Sequence, residues 1–170
     1  MKTWEDCVEF HGHECPGLAI GYRAAIEAQK LLNVTFSSDE EIVCVSENDA
    51  CGVDAIQIML GCSIGKGNLL FKFRGNQAFS IFNRSTNKGI RLILKPMDGE
   101  MSREERQEYI KSAPDVFDIK EATFETPESA KVFKSLVCSK CGETTMESMM
   151  SLEQGEPICM DCTSHYTRFL

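Results

Sequence analysis

The sequence predicts an α+β fold: helices packed on an antiparallel sheet, with a small zinc ribbon or treble-clef finger at the C-terminal end. Three observations carry that expectation. Residues 16–32 repeat apolar side chains at helical spacing. Residues 69–95 alternate apolar and other side chains between glycine-containing turns, as half-buried strands do. Two C-x2-C pairs, Cys138/Cys141 and Cys159/Cys162, stand near the end of the chain.

The elements follow in order. Thr3 caps a first short helix, with Asp6 near the position of a capping-box acid. This helix carries Trp4, Cys7 and Val8 and ends by Gly12. A second helix runs from about Pro16 to Leu32, with proline at the first position, where a missing N–H costs nothing. Leu18, Tyr22, Ala25, Ile26, Gln29 and Leu32 form its apolar stripe, and Arg23, Glu27 and Lys30 the wet side. Its small residues Ala19, Gly21, Ala24 and Ala28 admit a close neighbour. A β-branched strand lies within Glu41–Glu47, and Val53–Leu60 is a short helix between glycines. Strands over Leu69–Arg74, Gln77–Asn83 and Ile90–Lys95 form an antiparallel meander, with a hairpin at Gly75-Asn76. Ser102, with Glu105 three residues on, starts a solvated helix to about Ser112, and Phe117–Phe124 is an edge strand. Thr126-Pro127 reads as another helix start. The expected domains are therefore an α+β core over 1–126, a helical linker over 127–136 and a four-cysteine zinc finger over 137–170.

Composition narrows the function classes. With 170 residues and 42% hydrophobic content, the chain can build one full core and a small appendage. No apolar run approaches the length of a bilayer crossing, so membrane partners are not expected. Met1–Asp6 lacks the apolar region of a secretory signal, which places the expected location in the cytoplasm. Nine cysteines, an odd count, then read as reduced thiols, metal ligands or catalytic groups rather than a disulfide framework. The formal charge of −8 opposes broad attraction to nucleic acid.

The C-terminal pairs are separated by 17 residues, within the range of a structural zinc site. Two residues between ligands let one tight turn aim both sulfurs at one ion, and four thiolates close a tetrahedron. So short a segment buries little core, so the metal supplies much of its stability. An iron–sulfur site or a redox dithiol pair would use the same residues. His165 is not needed as a ligand. After Leu136, Lys140 and Arg168 stand against Glu143, Glu147, Glu153, Glu156 and Asp161, a balance that repels phosphate. Met146, Met149 and Met150 suit an adaptable protein-contact surface.

Near the N-terminus, His11-Gly12-His13-Glu14-Cys15-Pro16-Gly17 packs two imidazoles and a thiol into five positions. Cys15 faces the positive end of the second helix, which favours thiolate. This chemistry suits a soft transition-metal site or a nucleophile with a base; the bland alternative is a turn with two exposed histidines. Cys51, Asp54, Cys62 and Lys66 form another dense stretch around the third helix. The glycine loop there is not a P-loop, because Gly67 takes the place of the hydroxyl after Lys66. Cys7 and Cys44 fall on apolar positions and read as core.

These motifs carry a resemblance. His11-Gly12-His13-x-Cys15-Pro16-Gly17, Cys51-x-x-Asp54-Ala55-Ile56-Gln57 and Gly61-Cys62-Ser63-Ile64-Gly65-Lys66-Gly67-Asn68-Leu69 together resemble the formylmethanofuran dehydrogenase E-subunit family. The likeness covers roughly residues 5–95, and some members carry a C-terminal zinc finger. It implies an α+β core, a tight homodimer and a cleft lined by cysteine and histidine. The complex that names the family reduces carbon dioxide to a formyl group on methanofuran, with molybdenum or tungsten in its other subunits. Carried over by residue, the cleft groups are His13, Cys15, Cys51, Asp54, Cys62 and Lys66. His11 ranks below His13, which stands closer to the cysteine along the chain.

Two functional readings follow. In the first, His13 and Cys15 ligate a second transition metal, helped by Cys51 or Cys62, for redox or one-carbon chemistry. Asp54 orients a ligand or acts as a base, and Lys66 holds an anionic substrate group. In the second, the chain is a non-catalytic accessory subunit whose cysteines store metal or sense redox state and whose zinc finger docks a protein partner.

Overall fold

The computed structural model describes residues 2–97 and 99–164. The chain divides into two compact units, 1–130 and 131–170.

In the first unit, α1 (Trp4–His11) begins with the expected capping box, Thr3 and Asp6 each satisfying the other's backbone N–H. It ends at Gly12, whose φ of 90° is left-handed and turns the chain back towards the next helix. Then follow α2 (Pro16–Leu32), β1 (Ile42–Ser46), α3 (Gly52–Leu60), β2 (Leu69–Phe71), β3 (Ala78–Asn83), β4 (Lys88–Leu94), α4 (Arg103–Ser112) and β5 (Phe117–Glu121). A second capping box, Ser102 with Glu105, starts α4.

The five strands form one mixed, mostly antiparallel sheet in the order β2-β1-β3-β4-β5. Of the expected meander only the β3–β4 pair forms, continued by the edge strand β5; β2 instead pairs with β1 in parallel, Cys44 opposite Leu69, while β3 takes the other side of β1. Gly75-Asn76 is therefore a crossover and not a hairpin. Glu47 decides this: its carbonyl accepts the N–H groups of Arg74 and Gly75, both at 3.0 Å, and so carries the chain past the end of β1. A parallel pair needs a long crossover, which α3 and the glycine loop provide. The central strand β1 is buried at every position. Ile42 and Cys44 face the helices, whereas Val43 and Val45 pack with Phe82 and Phe124 behind the sheet.

The buried face of α2 differs from the expected stripe. Leu18, Gly21, Ala24, Ala25, Ala28 and Leu32 are buried, while Tyr22, Ile26 and Gln29 are half-buried. The cause is the approach of α3. A Cβ added to Gly21 would lie 1.9 Å from the carbonyl oxygen of Gly52. Glycine within a helix costs about 1 kcal/mol against alanine. Here the backbone contact that it allows decides the packing.

No helix forms over 127–134 in place of the expected linker. The side chain of Arg84 donates to the carbonyls of Pro127 and Glu128, and Glu40 accepts from the N–H of Ala130. These backbone groups thus bond to side chains rather than to a helical ladder.

Among its described residues the second unit contains two hairpins, β6 (Ser135–Val137) with β7 (Thr144–Met146) and β8 (Met150–Glu153) with β9 (Glu156–Cys159), joined by a 3-10 turn over Glu147–Met149. Its buried apolar cluster is Cys138, Ile158 and Cys159. Thr163 and Ser164 are not helical, and the rest of the expected terminal helix, His165 included, lies outside the described residues. Among the described residues no helix is long and apolar enough to cross a membrane.

Candidate functional site

Cys15 is the N-cap of α2, and its sulfur accepts the N–H of Leu18 at 3.2 Å. Because Gly12 reverses the chain, the last residue of α1 also turns to this point. His11 Nε2 lies 3.8 Å from Cys15 Sγ, and the rings of His11 and His13 stand 4.5 Å apart. One ligand atom from each of His11, His13 and Cys15 can be chosen so that all lie within 4.8 Å of one another. Tetrahedral zinc with Zn–N near 2.0 Å and Zn–S near 2.3 Å would separate nitrogen and sulfur by about 3.6 Å, close to the His11–Cys15 distance. The donors are therefore spaced as one ion requires.

His11, ranked below His13 on sequence grounds, is the imidazole that the structure ties to a carboxylate. Its Nδ1 donates to Asp54 Oδ2 at 2.7 Å, which leaves Nε2 facing Cys15. Asp54 is in turn held by Gln57, whose amide donates to Oδ1 at 3.2 Å. A carboxylate that fixes the tautomer of a histidine is the usual support of a metal-ligating imidazole. The His11 side chain is 12% exposed, whereas His13 is exposed.

Cys51, the residue before α3, joins this group. A Cβ built on Gly17 would lie 3.5 Å from Cys51 Sγ and 3.8 Å from Cys15 Sγ, so both sulfurs border one gap. Burial, followed by the Cys15 sulfur beside it, pushes the Cys51 thiol up.

Cys62 and Lys66 do not share this place within one chain. They follow the far end of α3, a helix of nine residues, or about 13 Å at 1.5 Å per residue. Cys62 is fully buried, its thiol pushed up to about 12 by burial, and it contacts the carbonyl of Ile42. Lys66 donates to the carbonyl of Ser37 at 2.9 Å and lies over the ring of Phe36. Within one chain Cys62 is thus a core side chain and Lys66 a loop tether. Cys7 and Cys44 are fully buried. A cavity of about 770 Å³, lined by Leu31, Phe82, Lys88, Glu121, Phe124 and Thr126 among others, contains none of the cysteines or histidines.

In the second unit Cys138, Cys141, Cys159 and Cys162 bring four sulfurs within 4.8 Å of one another. Cys141 and Cys159 are 3.8 Å apart, sulfur to sulfur. A tetrahedron with metal–sulfur bonds of about 2.3 Å has an edge of about 3.8 Å. The N–H of Cys159 points at the Cys138 sulfur, which, with the N–H groups of Cys141 and Lys140, draws the Cys138 thiol down to about 6. The neighbouring sulfurs of Cys159 and Cys141 push Cys162 up to about 12. Four clustered thiols that share charge in this way are a set that a divalent cation such as zinc would neutralise.

The family model FmdE, "Molybdenum formylmethanofuran dehydrogenase operon", matches residues 10–154. A relative from Archaeoglobus fulgidus named "Probable S-adenosyl-L-methionine-binding protein" is 27% identical, over 93% of this chain and 51% of its own length. The chain therefore spans about half of that relative. The crystal structure of a tungsten formylmethanofuran dehydrogenase FmdE-like protein from Syntrophus aciditrophicus superposes with a TM-score of 0.70 at 24% identity, covering 93% of this chain and 88% of the other. That likeness is one of fold.

Proposed function

The chain belongs to the FmdE family, and from that premise we propose that it is a two-metal protein with one reactive and one structural centre. In the first unit His11, His13 and Cys15 hold a soft or borderline divalent ion, with Asp54 orienting His11 and Cys51 beside the ion. In the second unit the four cysteines hold zinc. The observation that carries this reading is the meeting of His11, His13 and Cys15 within 4.8 Å, backed by Asp54.

The two centres differ in the positions that they leave open. Four sulfurs close a shell, as structural sites do; three protein ligands leave a place for substrate, as catalytic sites do. Bound there, the core ion would supply Lewis acidity for redox or one-carbon chemistry. This chain's residues contribute the rest. Asp54 holds the proton of His11 at Nδ1, and Cys51 offers a second sulfur beside the ligand set. S-adenosyl-L-methionine, taken from the name of the relative, is the one-carbon donor to test first. Lys66, tied to Ser37, is left out of this role.

The test is metal content by elemental analysis. The expected value is two ions per chain, falling to one in Cys15→Ala and to a different one in Cys138→Ser. A single ion that is unchanged in Cys15→Ala overturns the core centre. Titration calorimetry with S-adenosyl-L-methionine then asks whether the shared half of the relative carries its ligand.

A second reading, an accessory subunit that docks a partner through its finger, is favoured by exposed apolar side chains there: Met146, Met149, Leu152 and Met160 are 47, 52, 76 and 66% exposed. We also propose a homodimer through the first unit, where Phe10, Phe36, Ile64 and Phe73 are more than half exposed; sedimentation velocity checks it.

A further inference from the structure

Cys15 and Cys51 begin two different helices, and the contact of Gly21 with Gly52 draws those helix starts together. The result is two free thiols on one gap, that of the missing Cβ of Gly17. Their surroundings differ. Cys15 is 5% exposed and held by the N–H of Leu18, whereas Cys51 is half-buried and makes no capping bond with its side chain. Cys51 is thus the more exposed of two neighbouring sulfurs, and Cys15 the more enclosed.

We propose that Cys15 and Cys51 are a thiol–disulfide couple, so that the core centre alternates between a dithiol that binds metal and a disulfide that does not. The loss of metal rests on Cys15 being a ligand, as read above; the disulfide does not depend on it. The oxidant is a low-molecular-weight disulfide. The Cys51 sulfur attacks one of its sulfur atoms, forming a mixed disulfide and expelling a first thiolate. The Cys15 sulfur then attacks Cys51 Sγ, forming the intramolecular S–S bond and expelling a second thiolate. Two cysteine thiols are oxidised, one disulfide is reduced to two thiols, and the two protons leave with them.

Other cysteines in the first unit are poorer candidates. Cys7, Cys44 and Cys62 are fully buried, out of reach of a small oxidant. The finger sulfurs form a four-membered set of their own.

The experiment treats the full chain with oxidised glutathione, blocks free thiols by alkylation and maps the peptides by mass spectrometry. The expected product is a Cys15 peptide joined to a Cys51 peptide, reversed by dithiothreitol, with one metal equivalent released to a chromogenic chelator in step with the link. Cys51→Ser forms no link. If wild-type protein carries glutathione on Cys51 while Cys15 stays a free thiol, the couple does not exist. A chain that lacks a core metal gives the same mass readout, so failure of the metal reading leaves this test intact. A link that forms while the core ion stays bound overturns the alternation.

Discussion

Asp54 and His11, 43 residues apart in sequence, are joined by a 2.7 Å hydrogen bond from Nδ1 to Oδ2. The bond ties the last turn of α1 to the first turn of α3. In the proposed core centre it makes Asp54 a positioning residue whose effect is exerted through the imidazole.

Replacing Asp54 with Asn keeps the shape but weakens the acceptor. The expected outcome is a loss of about 10- to 100-fold in affinity at the core site, with the finger site unchanged. Competition with a chromogenic chelator measures both. Equal loss at the two sites would mean general unfolding rather than a role in positioning His11.

Gly21→Ala should destabilise the first unit by at least about 1–3 kcal/mol, the usual range for overpacking. The new Cβ would meet the Gly52 carbonyl at 1.9 Å, and backbone yields less easily than a side chain. The gain in helix propensity, about 1 kcal/mol, works the other way and is too small. Denaturant unfolding checks the sign. A stabilised variant would show that the two helices do not meet at these glycines.

Glu47 and Arg91 form a buried pair, with side chains 4% and 15% exposed and contacts of 2.6 and 3.0 Å. Hydrogen bonds from Arg91, aided by Asn76, hold the Glu47 carboxyl below its usual range against the opposing effect of burial. Its folded value therefore lies under the unfolded one. The stabilisation is complete above about pH 5, the unfolded value being near 4.3, and is lost as pH falls through the folded value. Glu47→Ala leaves Arg91 buried without its partner, at a cost of about 3 kcal/mol. The gap in stability between wild type and Glu47→Gln should narrow from pH 7 to pH 3; a gap that is constant with pH would contradict the pairing.

Metal removal should separate the two units. The second unit buries Cys138, Ile158 and Cys159 and little else apolar, so Cys159→Ser or a strong chelator should unfold it. The first unit, with a core that spans α2, α3 and the sheet, should keep its own transition. Amide hydrogen exchange resolves the two: fast exchange over 135–162 beside protected β1 and β3 is the expected pattern. Loss of protection in both would show that the first unit depends on the finger.

The chain's local grammar was open to reading because its causes lie within a few residues. Thr3 with Asp6 and Ser102 with Glu105 announce α1 and α4, Pro16 starts α2, and the spacing of Cys138, Cys141, Cys159 and Cys162 specifies a four-sulfur set before any fold is known. Tertiary structure alone decided what meets across distance. His11 looked the lesser candidate because chain separation favoured His13, and only the tertiary structure joins it to Asp54 and turns its Nε2 to Cys15. Cys62 looked equivalent to Cys51 because both flank α3; a rigid helix places them at opposite ends. The parallel pairing of β2 followed from hydrogen bonds to Glu47, and the linker stayed extended because Arg84 and Glu40 took its backbone groups. Caps, turns and ligand spacing are near-neighbour interactions, whereas the choice of partner depends on which surfaces can approach, and here two glycines, Gly21 and Gly52, made that choice.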